Sequence, residues 1–464
     1  MIQQAIAELT SVHMLFFILA ILAVCAFEFV NGFHDTANAV ATVIYTRTLK
    51  PVVAVLWSGT WNFIGVWFGG IAVAMSIIHL LPIGELMNMP EKENIAIVFA
   101  VLLSAISWNL ATWYYGIPCS SSHTLIGAIL GAGMGFYWKH GGLGINWGKA
   151  QDIGLSLLLS PAFGFTAVII VLYIFRYVIK NKEIFKDPSD NGNMPAPWWI
   201  RGILLLTCTL VSFFHGNNDG QKGVGIMMIV LLAVLPNYYA INPDLDYVNL
   251  HNKIVTMQEA AGVHKNSLTT QIYVRQFEAL EEISCDLQDL DALDKQSKLE
   301  LRKKIQLFSK SAKWMMGDPE FIPNHADRRK FRHGLSAMND ATEFAPFEAI
   351  LLISLSLGLG TMIGWKRIVV TIGEKIGKSH LTYAQGAAAE LVAAGTIGMS
   401  SGFGLPVSTT HVLSSAVAGS MVGTGGVKNL QRGTITTIAL AWILTLPVSF
   451  AGALLFYYFF QWIL

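Results

Sequence analysis

One polar phrase occurs twice in this sequence, each time inside residues apolar enough for a bilayer. Asn31-Gly32-Phe33-His34-Asp35-Thr36-Ala37-Asn38 follows an apolar run at 12–30, and Gly216-Asn217-Asn218-Asp219-Gly220-Gln221-Lys222-Gly223 follows another at 201–214. Each phrase has a later partner, Pro118-Cys119-Ser120-Ser121-Ser122-His123 and Pro406-Val407-Ser408-Thr409-Thr410-His411. An aspartate at the centre of a membrane helix costs roughly 3 kcal/mol on insertion scales, so acids persist there mainly where something is bound or moved. Interrupted polar segments at corresponding places in two halves point to a secondary transporter with its site at the repeat interface.

Composition supports a membrane chain. Of 464 residues, 53% are hydrophobic and only 13% charged, about half the charged share of an ordinary soluble protein. The block 241–345 holds about half of the 31 Lys+Arg and of the 30 Asp+Glu. The remaining stretch of about 360 residues has room, at roughly 20 residues per span, for ten to twelve membrane segments. A net charge of +1 argues against a nucleic-acid partner. Cys25, Cys119, Cys208 and Cys285 are too scattered for a disulfide framework or a metal cluster. No cleavable signal peptide is expected, since residues 1–13 lack Lys and Arg and the following run reads as a full span.

The repeat spacing locates an insertion. Asp35 and His123 lie 88 positions apart, Asp219 and His411 192 apart, and the excess of 104 nearly equals the length of the charged block. The expected organisation is a first repeat at 1–186, a link at 187–200, the start of the second repeat at 201–240, an insertion at 241–345 and the remainder at 346–464. Ile272, Phe277, Leu280, Ile283, Leu287 and Leu290 recur at three- to four-residue steps, which predicts a mostly helical soluble insertion. The basic residues around the link, from Arg176 to Arg201, place it in the cytoplasm by the positive-inside rule, and the insertion is expected on the same side.

Asp35 and Asn38 are three apart and share a helical face. Gly32 would let the chain open just before them and expose amide groups. The second copy supplies Asn218, Asp219, Gln221 and Lys222, with Lys222 standing where Asn38 stands in the first. Pro118 and Pro406 stop one helix, and the hydroxyls after them favour the start of another. Ser120, Ser121 and Ser122 would thus crown one re-entrant hairpin, with Ser408, Thr409 and Thr410 crowning its mirror image. Hydroxyls, amides and helix N-termini suit a tetrahedral oxyanion. Two carboxylates beside it would repel a dianion, so a cation must enter too: sodium, a proton or a divalent metal. A fixed ammonium at Lys222 occupies cation space, which disfavours a second symmetric sodium site and favours protons or a neutral metal–phosphate complex. Glu28, Asp35, His123, Asp219, Glu390 and His411 are the coupling candidates. Asn62, Asn109, Glu343, Glu348 and Glu374 are secondary ones. An intramembrane Ser–His–Asp hydrolase is disfavoured, since it needs one asymmetric constellation and these groups come in duplicate; no enzyme and no cofactor is expected.

These motifs resemble the inorganic phosphate transporter (PiT) family, and most closely its bacterial low-affinity permeases of enterobacterial Pit type. The likeness rests on Asn31 to Val40, Gly216 to Gly223, Pro118 to Thr124, Pro406 to His411 and the stretch Thr371 to Gly377. It implies an all-helical, polytopic inverted-repeat fold of about twelve membrane segments, packed as a homodimer in the lipid of the bacterial inner membrane. It implies symport of inorganic phosphate with protons, partly as a complex with a divalent metal such as Mg2+, which Asp35 and Asp219 would meet. Sodium-coupled phosphate uptake and uptake of sulfate or another oxyanion remain the competing readings. The chain departs from the common Gly-Ala-Asn-Asp-x-Ala-Asn-Ala form at His34 and at Gln221-Lys222, which argues against a sodium site of that type.

Overall fold

The computed structural model describes residues 11–464 apart from 87–88, 142–143, 189–195, 263–281, 284, 288–292, 317–321, 323 and 365. Among the described residues it is helical throughout, with one isolated antiparallel bridge between Gly377 and Leu430. Lipid cannot hydrogen-bond exposed backbone, so apolar stretches of this kind resolve into helices. The chain divides into two compact units.

The larger unit comprises Phe16–Ile83, Pro90–Val230 and Ala345–Leu464. Its first half contains α1 (Ser11–Tyr45), α2 (Pro51–Trp67), α3 (Ala72–Ile78), α4 (Glu91–Tyr114), α5 (Ser121–His140) and α6 (Trp147–Val178). The helix α7 (Trp198–Val234) opens the second half. In the smaller unit follow α8 (Tyr247–Gly262), α9 (Lys295–Met315) and α10 (His325–Asn339), and the larger unit resumes with α11 (Phe347–Thr361), α12 (Lys366–Glu374), α13 (Tyr383–Gly402), α14 (Thr409–Gly425) and α15 (Arg432–Ile463).

Among the described residues five helices are long and apolar enough to cross a membrane (α1, α4, α6, α7 and α15), and a sixth span results if α2 and α3, bent by 75° at their junction, count as one. These are fewer than the ten to twelve expected. Among the described residues α11 is a shorter apolar helix, and α5, α13 and α14 carry small and hydroxyl residues that lower their hydropathy. Each proline-bearing segment does turn the chain: Gly116 and Gly404 adopt φ of +67° and +66°, and α5 and α14 begin just beyond. The hairpin α4–α5 packs against α15, the last helix of the second half. The hairpin α13–α14 packs against α6, the last helix of the first, and α2 packs against α11. The two halves are therefore interleaved. In the most apolar windows of α6 and α15 only 28% of residues are buried, against 61% for α4, so α6 and α15 are the most exposed of these helices.

The smaller unit comprises Leu231–Phe344 with Met1–Leu15 and Gly84–Met89. Helices α8, α9 and α10 close around Leu250, Ile254, Met257, Leu301, Ile305, Phe308, Phe331 and Leu335. Ile283 and Leu287 of the predicted apolar stripe join this core, while Ile272, Phe277, Leu280 and Leu290 lie outside the described residues. Arg302 is buried in it, donating from Nη1 to the Ala240 carbonyl at 2.7 Å. Burial pushes its guanidinium down to about 10 and Glu343 counters that, so Arg302 remains a cation at neutral pH.

Candidate functional site

Both signature phrases lie within unbroken helices, a correction to the expected opening at Gly32. A Cβ on Gly32 would stand 2.4 Å from the Leu357 carbonyl oxygen of α11, and one on Gly216 would stand 2.1 Å from the Asn62 carbonyl oxygen of α2. These glycines serve close helix approach. Internal hydrogen bonding continues through the polar phrases, and their side chains are satisfied across helices.

Asp35 is the focus. It is 2% exposed and accepts from both hairpin tips: Ser121 Oγ reaches its Oδ2 at 3.0 Å, Thr409 Oγ1 reaches the same oxygen at 3.4 Å, and Thr410 Oγ1 reaches Oδ1 at 2.6 Å. Asn38 donates to Asp35 Oδ1 at 3.4 Å and to Thr410 Oγ1 at 3.0 Å. The second repeat mirrors this contact. Lys222 Nζ donates to Asp219 Oδ1 at 2.6 Å and to Ser122 Oγ at 2.5 Å, with the Val407 carbonyl at 3.1 Å. In each half, the residue three after the acid touches its own acid and the third hydroxyl of the other half's hairpin. Ser122 in turn donates to the Val407 carbonyl at 2.7 Å, tying the two tips together.

Ser120 and Ser408 are placed otherwise than expected. Each caps its helix, accepting from the backbone N–H of His123 and of His411 at 3.1 Å. This is the ordinary work of an N-cap serine, and the second and third hydroxyls are left for the site. Asn218 and Gln221 also serve the scaffold. Asn218 donates to Ser401 Oγ at 2.9 Å and to the Leu405 carbonyl at 3.3 Å, and it accepts from the Val407 N–H at 3.3 Å, so it fixes the second tip. Gln221 accepts from the Val73 N–H at 2.8 Å and donates to the Gly69 and Asn217 carbonyls, which satisfies backbone freed at the α2–α3 bend.

The coupling candidates separate. The rings of His123 and His411 are tilted by 36° with centroids 4.5 Å apart, and His411 stacks on Trp442 at 3.9 Å. Glu28 accepts from Asn31 at 3.2 Å, and its carboxyl lies against Gly223, next to Lys222. Glu390 accepts from Thr207 Oγ1 of α7 at 2.5 Å. Both acids are fully buried, and Oε1 of each has no hydrogen-bond partner among the described residues.

Residues 31–453 of the chain match the phosphate transporter family. The chain belongs to that family. It is a multi-pass membrane transporter and not an enzyme. It is 40% identical to the low-affinity inorganic phosphate transporter of Buchnera aphidicola subsp. Acyrthosiphon pisum, over 94% of this chain and 95% of the relative. It is 39% identical to the low-affinity inorganic phosphate transporter PitA of Escherichia coli K12, over 94% of each. A solved structure described as the sodium-dependent phosphate transporter aligns with a TM-score of 0.55 at 19% identity, covering 97% of this chain and 100% of that one, a likeness of fold.

One residue of this phosphate transporter family member escaped the sequence analysis. His215, 2% exposed, stands between the two signature acids, its Nε2 3.7 Å from Asp35 Oδ2 and 3.5 Å from Asp219 Oδ2. Its tautomer follows from its neighbours. Thr361 Oγ1 donates to the Leu357 carbonyl, so it accepts from Asn62 Nδ2 at 2.8 Å, and the Asn62 oxygen then faces His215 Nδ1 at 3.1 Å. Nδ1 therefore carries hydrogen, and Nε2 is directed at the carboxylates. The available signal was the i, i+4 spacing of His215 and Asp219 inside an apolar helix. It was hidden because the first copy has Asn31 at the corresponding position.

Proposed function

We propose that this chain is a low-affinity importer of inorganic phosphate across a bacterial inner membrane, driven by protons and working as a homodimer. The observation carrying this reading is the convergence of Ser121, Thr409 and Thr410 on Asp35 from two helix N-termini. Those hydroxyls are the donors an oxyanion would recruit. While Asp35 is ionised it holds them, and it would repel a dianion at contact. Phosphate can take its place among the donors once a proton or another cation has neutralised that acid. The second acid already has its cation, because Lys222 lies 2.6 Å from Asp219. One mobile positive charge at Asp35 is then enough, which distinguishes this site from a symmetric pair of sodium sites.

A metal–phosphate complex is favoured by a second observation. Ligand atoms of Asp35, His215 and Asp219 all lie within 4.8 Å of one another. The His215 separations of 3.5 and 3.7 Å are long for hydrogen bonds but close to the edge, about 3.4 Å, of a tetrahedron with metal bonds of about 2.1 Å. These residues would hold a divalent cation arriving with phosphate as cargo. Magnesium would rely on the carboxylate and phosphate oxygens, whereas the imidazole suits zinc-class ions.

Uptake of radiolabelled phosphate into proteoliposomes tests both readings. Uptake is expected to persist without sodium, to collapse when the pH gradient is dissipated, and to rise with a divalent metal such as magnesium. Strict sodium dependence without a response to protons would overturn the coupling, and a preference for sulfate would overturn the substrate.

A further inference from the structure

Four fixed cations line one cleft of the larger unit, away from the signature acids. Arg176 lies on the last turn of α6, Lys186 just before the link, Lys378 before α13 and Lys428 just after α14. With His380 and a single acid, Asp187, they border a cleft of about 780 Å3 open to the surface. Among the described residues no salt bridge joins any of the four to a carboxylate. Like charges gathered around one concavity repel each other, and their field attracts an anion.

The walls are held open by their own bonds. The Lys378 N–H donates to the Asn429 carbonyl at 2.7 Å, the Gln431 N–H donates to the Ile376 carbonyl at 3.0 Å, and Gln385 donates to Thr424 Oγ1 at 2.8 Å. The elements that line the cleft also expose apolar side chains next to the lining residues. Tyr173, Ile174 and Tyr177, neighbours of Arg176 on α6, are 60%, 51% and 90% exposed, and Val427 beside Lys428 is 73% exposed. A water-soluble polyanion would leave those side chains uncovered, whereas acyl chains would cover them. The cleft lies where α6 and α14 end and α13 begins, beside the basic link that the positive-inside rule assigns to the cytoplasm.

We propose that this cleft binds the headgroup of an anionic phospholipid carrying two phosphates, with its acyl chains along the exposed face of α6. Basic pockets between membrane helices on the cytoplasmic side recognise such headgroups by charge, each Lys or Arg contributing about fivefold in affinity. The test is native mass spectrometry of the purified full chain in uncharged detergent, titrated with cardiolipin, phosphatidylcholine or inorganic pyrophosphate. Cardiolipin should bind most tightly. Lys378→Gln with Lys428→Gln should weaken it about thirtyfold, and each single variant about fivefold. Lys303→Gln with Lys310→Gln on α9 should leave it unchanged. All four lysines are exposed, so the fold is not at stake. Equal binding of phosphatidylcholine, or an undiminished affinity in the Lys378/Lys428 variant, would overturn the proposal. Pyrophosphate binding as tightly as cardiolipin, with the same loss in that variant, would make this a free-anion site and overturn the lipid assignment.

Discussion

Replacing Lys222 with methionine removes the ammonium that is ion-paired with the second acid. Asp219 is fully buried, and its only hydrogen-bond donor among the described residues is Lys222 at 2.6 Å; its Oδ2 has none. Breaking a buried pair by deleting one partner costs about 3–5 kcal/mol, because the remaining buried charge loses the ammonium that compensates it. The first repeat would not suffer comparably from the loss of Asn38, since Asp35 keeps three hydroxyl donors. Lys222→Asn, which makes the repeats alike, should therefore also be impaired: an amide does not neutralise Asp219. Thermal unfolding of the full chain in detergent should show a lowered midpoint for Lys222→Met and for Lys222→Asn. The double variant Asp219→Asn/Lys222→Met should recover most of the loss, because both charges leave together. In proteoliposomes Lys222→Asn should lose phosphate uptake or acquire a new cation dependence. Midpoints equal to the parent's in both single variants, together with unchanged uptake, would refute the argument and leave Lys222 as a packing residue.

Two further outcomes are expected. Ser121→Ala and Thr410→Val should each weaken phosphate binding by about 1–3 kcal/mol, the usual cost of an unpaired buried polar partner; unchanged dissociation constants would show that the tips never touch the anion. Gly216→Ala should lower the unfolding midpoint and uptake together, since its Cβ would meet the Asn62 oxygen at 2.1 Å and overpacking costs about 1–3 kcal/mol. Gly202→Ala, whose Cβ would meet nothing within 4 Å, is the control.

The acids and hydroxyl tips were legible because membrane-depth polarity is rare and these groups are duplicated in order. Their division of labour was not. Ser120 and Ser121 are neighbours of the same type, yet one caps the helix and the other faces Asp35, a distinction set by where the first helical turn begins. Asn218 and Gln221 look like binding residues until the α2–α3 bend and the second tip are seen to need their bonds. Glycines beside polar residues suggested a broken helix, but the facing backbones of α2 and α11 exist only in the assembled fold. His215 was hidden for a related reason, since repeat comparison rewards matches and its counterpart is Asn31.

The two repeats share a geometry and differ in charge, and under the proposed function that difference sets the coupling. Asn38 and Lys222 make equivalent contacts, each to its own acid and to a hydroxyl of the other repeat's hairpin. Only Lys222 brings a positive charge. The second repeat thus pairs its acid with a lysine, while at the equivalent position the first repeat offers its acid only the neutral amide of Asn38. Asp35 can be relieved by an arriving proton or metal, and the donors it releases are those an oxyanion requires. Anion and cation then favour each other's binding because both act on one set of hydroxyls, which is the form a coupling free energy must take: two ligands biasing the same local equilibrium. His215, 3.5 Å from one acid and 3.7 Å from the other, lies where a charge change at Asp35 is felt at Asp219. Under the proposed function, the asymmetric substitution at position 222 therefore makes the first repeat the place where coupling occurs and the second its fixed electrostatic reference.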